Sequence, residues 1–301
     1  MARPERVPDA RGGRDLVALW RALPVAVLCY PGSALPKGLG LAEISGTLRG
    51  WAWRDHCAAP TLASCADLGG TCARAQGGDC RADVLFPMSV GGGSPSWRMA
   101  TLAVQWRPSI EELRLIALGD VACGMLGWAA RRLYDRHGLQ GAETPDFAVF
   151  ADLELKGAAS WNLSFVTPWL IGKGSRQVCV NPDAAGVAFE LCKAMRSRAR
   201  KLTALCVRDE TCQRLGSHLT DHVARALLPS GIAVDEVRVE AEILSLGSRG
   251  NGSAFQALAW SGEAILRVEA DVLPWLSLVA TCGGGENADK GFGGIELTPL
   301  P

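Results

Sequence analysis

The chain has 301 residues, with 31 basic and 31 acidic side chains and an ordinary share of apolar ones. That length exceeds most single cores and suits one large or two modest domains. Balanced charge excludes a protein that coats nucleic acid indiscriminately, since such binding is driven by phosphate neutralisation, but it permits a local basic surface. No run of about 18 apolar residues occurs, so no membrane span is expected.

Residues 1–23 read as a flexible tail. The opening MARPERVPDARGGRD holds Arg, Pro and Gly with almost nothing to bury, and Glu5, Asp9 and Asp15 interrupt any Arg-rich leader. No secretory apolar core follows, so the sequons at Asn162 and Asn251 carry no expectation of glycosylation. Eleven cysteines is an odd count, and with no signal segment it points to a reducing cytoplasm. Cys29, Cys123, Cys192 and Cys206 sit among apolar neighbours and read as buried thiols.

The first unit, 24–156, opens with a Val/Leu-rich strand at Pro24 to Tyr30. Leu41 to Arg54 has helical apolar spacing, and a Cys- and Gly-rich loop follows it. Val84 to Val90 and Met99 to Trp106 read as strands, Ile110 to Tyr134 as a long amphipathic helix, and Phe147 to Leu155 as a closing strand. The second unit, 157–301, begins with a strand at Trp161 to Val166, ended by Thr167-Pro168. A helical insertion spans 184–228. Val237, Val239, Ala241 and Ile243 then alternate with Glu236, Arg238, Glu240 and Glu242, as in a strand with one wet face. Ala254 to Glu269 is its return strand, Val272 to Thr281 a short helix and Gly294 to Thr298 a last strand. Each half therefore reads β-α-β-β-α-β. The expected fold is α+β, two tandem ferredoxin-like (RRM-like) domains.

The segment from Cys282 to Leu297 reads CGGGENADKGFGGIEL. Clustered glycines allow positive φ and close backbone approach, so their N–H groups suit a phosphate, with Lys290 supplying charge. A P-loop is excluded, because the loop precedes a strand and lacks Gly-Lys-Ser/Thr. Gly283, Gly285, Gly291, Phe292 and Gly293 resemble the glycine-rich signature of the CRISPR-associated RAMP superfamily. Thr47-Leu48-Arg49-Gly50, Leu85-Phe86-Pro87, the LSFVTPW segment from Leu163 to Trp169, Ser248-Arg249 and Leu273-Pro274-Trp275-Leu276 follow the order of its precursor-crRNA-processing branch.

That resemblance implies tandem ferredoxin-like folds that bind CRISPR repeat RNA and cut it without metal. The 2′-OH attacks the adjacent phosphate, leaving a 2′,3′-cyclic phosphate and a 5′-OH. Such cleavage needs a base, an acid and nearby cations. Of the four histidines, His56 ends the first helix beside Arg49 and Arg54, where some members keep a catalytic His. His137 ends another helix, and His218 and His222 form an i, i+4 pair with no third ligand apparent. No histidine occurs in the loop 31–40, which opens an arginine-based alternative as in the type IV branch, with Arg49 and Arg249 as candidates. Arginine orients and neutralises but is no free base. Tyr30 is a possible donor or a packed strand end.

Lys193, Arg196, Arg198, Arg200, Lys201 and Arg208 place six cations and no acid between Leu191 and Arg208, an RNA-backbone contact or a solvated face. Cys57, Cys65, Cys72 and Cys80 are separated by seven, six and seven residues in one loop. They suit a structural zinc less well than close Cys pairs do, and no catalytic metal is expected. The expected partners are repeat RNA or crRNA and other subunits of a CRISPR effector complex. A non-catalytic RAMP subunit that holds crRNA, or an unrelated small-molecule enzyme, are the competing readings.

Overall fold

The computed structural model describes residues 20, 23–57, 80–87, 99–143, 160–171, 182–206, 231–248, 254–270, 272–285, 288 and 291–301. Its strands are β1 (Val25–Pro31), β2 (Leu102–Arg107), β3 (Glu112–Leu118), β4 (Ala142–Glu143), β5 (Ser160–Leu170), β6 (Ile232–Ser248), β7 (Ala254–Val268) and β8 (Ile295–Pro299). The α-helices are α1 (Leu41–His56), α2 (Arg81–Leu85), α3 (Asp120–Gly124), α4 (Leu126–His137), α5 (Ala184–Cys206) and α6 (Leu273–Cys282). They form two four-stranded antiparallel sheets, ordered β2-β3-β1-β4 and β6-β7-β5-β8. The chain is thus a mixed α+β protein whose two sheets repeat one strand order.

Alternation along the strands decides what each sheet touches. In the first sheet Leu28, Tyr30, Leu102, Leu113 and Leu115 pack on Ile44, Leu48 and Ala52 of α1 and on Ala129 and Leu133 of α4. Their neighbours Val27, Ile116 and Leu118 turn to the other face. There they join a second cluster with Val187, Leu191 and Met195 of α5 and Trp275, Leu276 and Val279 of α6. Trp161, Leu163, Leu266 and Ile295 of the second sheet close the same cluster from its far side. The layers therefore run helix, sheet, helix, sheet, with α6 packed on β2 of the first sheet and β8 of the second, and α5 packed on α6 and on β6.

Polar contacts pin the two halves together. Gln105 Nε2 on β2 donates to the Ala280 carbonyl of α6 at 2.6 Å. The buried Glu296 carboxylate on β8 accepts from Arg107 Nε at 2.8 Å and from Ser109 Oγ at 2.5 Å.

Several sequence expectations are revised. Residues 81–85 are helix α2, so Val84 to Val90 does not begin as a strand; Ala82 and Leu85 bury at helical spacing. The stretch from Ile110 does not run as one helix. Glu112–Leu118 is β3, and Ile116, Ala117 and Leu118 are all buried. A strand covered on both faces shows no alternation, so its apolar run is indistinguishable from buried helix. The fourth strand is Ala142–Glu143, and 147–155 lies outside the described residues. Strand β5 continues through Thr167-Pro168, shifting register between Phe165 and Trp169.

Two larger assignments change as well. Over 184–206 the segment read as an insertion is α5, the connection from β5 to β6 in the middle layer; 207–230 lies outside the described residues. Trp20, placed by sequence in the tail, is fully buried. Its indole meets Trp275 edge-on at 5.1 Å, and its Nε1 donates to Thr203 at 3.1 Å.

Trp20 joins the middle layer from outside either repeated unit. Trp20→Ala is expected to lower stability by about 3–5 kcal/mol, as for other large aromatic deletions. Denaturant unfolding checks this, and a loss below about 1 kcal/mol would show that the indole is dispensable.

Candidate nucleic-acid interface

The glycine segment after α6 is built on the β5 register shift. Gly293 N donates to the Pro168 carbonyl at 2.9 Å and Gly294 N to Thr167 Oγ1 at 2.8 Å, while Val166 N donates to the Gly294 carbonyl at 2.9 Å. Gly284 N donates to the Gly293 carbonyl at 2.8 Å and Gly291 N to the Ala288 carbonyl at 3.2 Å. The Thr-Pro step is thus the clamp for the loop. Four of the amides expected to face a phosphate already have protein acceptors, including those of Gly291 and Gly293, which corrects the amide-cradle expectation at those positions.

Close packing is the physical reason for these glycines. Gly293 holds φ 66°, and a methyl there would overlap the Gly284 carbonyl oxygen. Gly291 holds φ 86°, and its missing methyl would lie 2.9 Å from the Leu41 carbonyl carbon at the start of α1. Gly284 lies flat on the Trp169 indole. The loop therefore joins the second half to the first turn of α1. Gly283 and Gly285 sit in the same turn, both at positive φ, and Lys290 lies outside the described residues.

A narrow slot opens between the halves beside this loop. Gln105 and Trp106 of β2, Thr167 of β5, Leu41, Gly291 and Phe292 are among its walls. No spacing signal could have marked Gln105, a single amide in an otherwise apolar strand.

His56 lies elsewhere. It ends α1, fifteen residues beyond Leu41, so it stands about 22 Å along the axis from the glycine contact. Its ring meets Trp128 edge-on at 4.8 Å, and its Nε2 is buried without a hydrogen-bond partner. Burial, with the nearby Arg81 and Arg132 charges, holds its pKa below the usual histidine value against the opposing pull of Asp55. Burial raises the Asp55 carboxyl, but hydrogen bonds from Trp128 Nε1 at 3.1 Å and Arg132 Nη2 at 2.6 Å outweigh it and leave the group below its ordinary value. His137 is likewise lowered by burial, and its Nε2 is also covered. Tyr30 is wholly buried, and desolvation pushes its phenol up to about 12, so it is placed for packing.

The basic positions are not one open stripe. Arg198, expected as an RNA contact, is only 6% exposed. Lys193 is exposed and bonds the buried Glu190 at 3.1 Å. Arg196, Arg200 and Lys201 are half-buried, as is Arg49 on α1. Arg208, Arg249, His218 and His222 lie outside the described residues. Cys57 and Cys80 share a small cluster with Trp53 and Ala82, and Cys65 and Cys72 lie outside. Among the described residues no group of three His, Cys, Asp or Glu side chains is placed to hold a metal. No described helix is long and apolar enough to cross a membrane.

No protein-family model matches the chain. No curated protein matches it in sequence. Among solved structures it is similar to Thermus thermophilus Cas6 at 16% identity, over 91% of this chain and 97% of that one, with TM-score 0.45. It is also similar to a Cas6 product complex at 15% identity, over 91% and 99%, with TM-score 0.45, and to Cas6b at 10% identity, over 91% and 99%, with TM-score 0.42. At these levels the functional reading rests on the chain's own residues.

Gly293→Ala and Gly291→Ala are expected to loosen the contact between the loop, β5 and α1. Each should lower the unfolding midpoint and open the loop to proteolysis. Gly50→Ala, in the interior of α1 with open space around it, should be neutral or stabilising by up to about 1 kcal/mol. Equal behaviour of all three in limited proteolysis and thermal melts would contradict the packing role.

Proposed function

We propose that this chain is a CRISPR repeat-RNA-binding protein of the RAMP type, built from tandem ferredoxin-like domains, that cuts precursor crRNA. The observation that carries the reading is the repeated strand order, with the glycine segment joining α6 to β8 and seated against α1. The segment lies directly before the last strand, in the order the resemblance has it. The ordered motifs from Leu48 to Phe292 add to it.

In this reading cleavage is metal-independent attack by the ribose 2′-OH. His56, kept neutral by burial, takes the proton; Arg49 and Arg249 orient the ribose and neutralise charge developing on phosphorus. The bound RNA then spans from the loop junction along α1 to its far end, a separation of about 22 Å. His56 Nε2 is covered by its neighbours, so binding must turn the imidazole outward for this to work. The described part of the basic run contributes long-range attraction more than a dedicated groove. Cys57 and Cys80, already packed together, form the base of the cysteine loop, and elemental analysis of purified protein decides whether that loop holds zinc.

A second reading keeps the RNA and drops the chemistry: a subunit that retains crRNA within an effector complex. The covered His56 nitrogen favours it.

Incubation with repeat RNA in EDTA under single-turnover conditions separates the two readings. Cutting is expected, with a 2′,3′-cyclic phosphate end. His56→Ala should slow it by about 10²-fold or more while leaving binding intact. Tight, salt-sensitive binding with no cut product at any enzyme excess would establish the second reading instead.

Because the His56 pKa lies below 6.5, its base form persists to lower pH than a solvated histidine would allow. The acid limb of kcat/KM, which reports the free protein before the imidazole turns outward, should therefore fall with a midpoint below 6.5. A midpoint above that value would assign the base to another group.

A further inference from the structure

We propose that Gln105 is a nucleotide-reading residue, whose carboxamide oxygen accepts a hydrogen bond from a single donor group of the bound RNA at the slot between the two halves. The inference rests on the RNA-binding reading above and names a contact within it.

Gln105 is 8% exposed, and its two polar atoms have different fates. Nε2 donates to the Ala280 carbonyl at 2.6 Å, which fixes which end of the amide is which, since a carbonyl accepts only from the NH2 end. Oε1 is buried and has no partner. A buried carbonyl left unbonded costs about 1–3 kcal/mol, so such an atom calls for an explanation. The bond from Nε2 to Ala280 accounts for the amide nitrogen but leaves the oxygen unexplained.

Gln105 lines the slot, and the rest of the wall tells what can reach it. Ala103, Val104, Trp106, Val166 and Phe292 make most of it apolar. Thr167 Oγ1 already accepts from Gly294 N. The cavity measures about 20 Å³, room for one water-sized group. A whole base or sugar does not fit, but the amino edge of a base or a ribose hydroxyl does. Both are donors of that size, and both complement an orphan acceptor. Leu41 at the rim opens α1, whose first turn has no side-chain cap. Helix N–H groups without a cap favour an anion nearby, although Glu43 in the same turn opposes it.

Gln105→Met removes both polar atoms at nearly constant volume. It is to be measured with Gln105→Leu and checked for an unchanged circular-dichroism spectrum and melting midpoint. Repeat RNA is scanned in one arm with 2′-deoxy nucleotides. In the other arm it is scanned with bases lacking one exocyclic amine: inosine for guanosine, purine for adenosine and 2-pyrimidinone for cytidine. Affinity is read by fluorescence anisotropy.

One position, in one arm only, should weaken binding to the wild-type protein by about five- to tenfold, the usual size of one lost hydrogen bond. Gln105→Met should weaken unmodified RNA by a similar factor and be indifferent to that substitution. The arm that responds identifies the donor as base amine or 2′-OH. If Gln105→Met destabilises the fold, the wild-type scans still decide: no responsive position overturns the proposal. Unchanged affinity of a folded Gln105→Met, or undiminished discrimination by it, also overturns it, and a water filling the slot would produce that result. Wild-type protein that binds no repeat RNA at all removes the RNA-binding reading itself, which is a separate failure.

Discussion

The layer of α5 and α6 between two antiparallel sheets is the constraint on which the architecture depends. A sheet normally buries one face against its own helices. Here the first sheet must cover its second face as well, and it does so on the helices of the other half. Val27, Ile116 and Leu118 are therefore as buried as Leu28 and Leu115 on the opposite face. Neither half has a complete core without the other. Trp20 extends the same layer from a segment that precedes both units.

This sharing explains why polar groups at the junction are so specific. Glu296 is a buried carboxylate, and an unpaired charge there would be costly; Arg107 and Ser109 supply the donors it needs. Gln105 bonds across the same boundary with one end and leaves the other unmet. The cations of α5 differ in exposure: Lys193 is exposed and Arg196, Arg200 and Lys201 are half-buried. Arg198 on the same helix is held at 6% exposure.

The glycine segment shows how one sequence signal supports two physical uses. Glycine permits a backbone to approach a phosphate, and it equally permits one backbone to approach another. In this chain the second use is visible: the loop folds on Gly284 and Gly293, lies against Trp169 and meets the first turn of α1. Its position in the fold is the one expected from sequence, and the amides of Gly284, Gly291, Gly293 and Gly294 are already bonded within the protein.

Local pattern was enough for the second half, where β6, β7, α6 and β8 fall close to their expected places. Along β6 Val237 and Val239 are half-buried between the exposed Glu236, Arg238 and Glu240, but Ala241 and Ile243, expected on the same covered face, are exposed, Ile243 at 69%. In the first half the same method failed at β3, since burial on both faces erases alternation. The element order of the second half and the glycine segment's place between a helix and the last strand were legible in the sequence alone. Only tertiary structure decided that α5 is a shared middle layer, that Trp20 belongs to the core, that His56 stands at the far end of α1 from the glycines, and that Gln105 carries an unmet acceptor. Each depends on which elements meet across long sequence separations, and no local spacing encodes that.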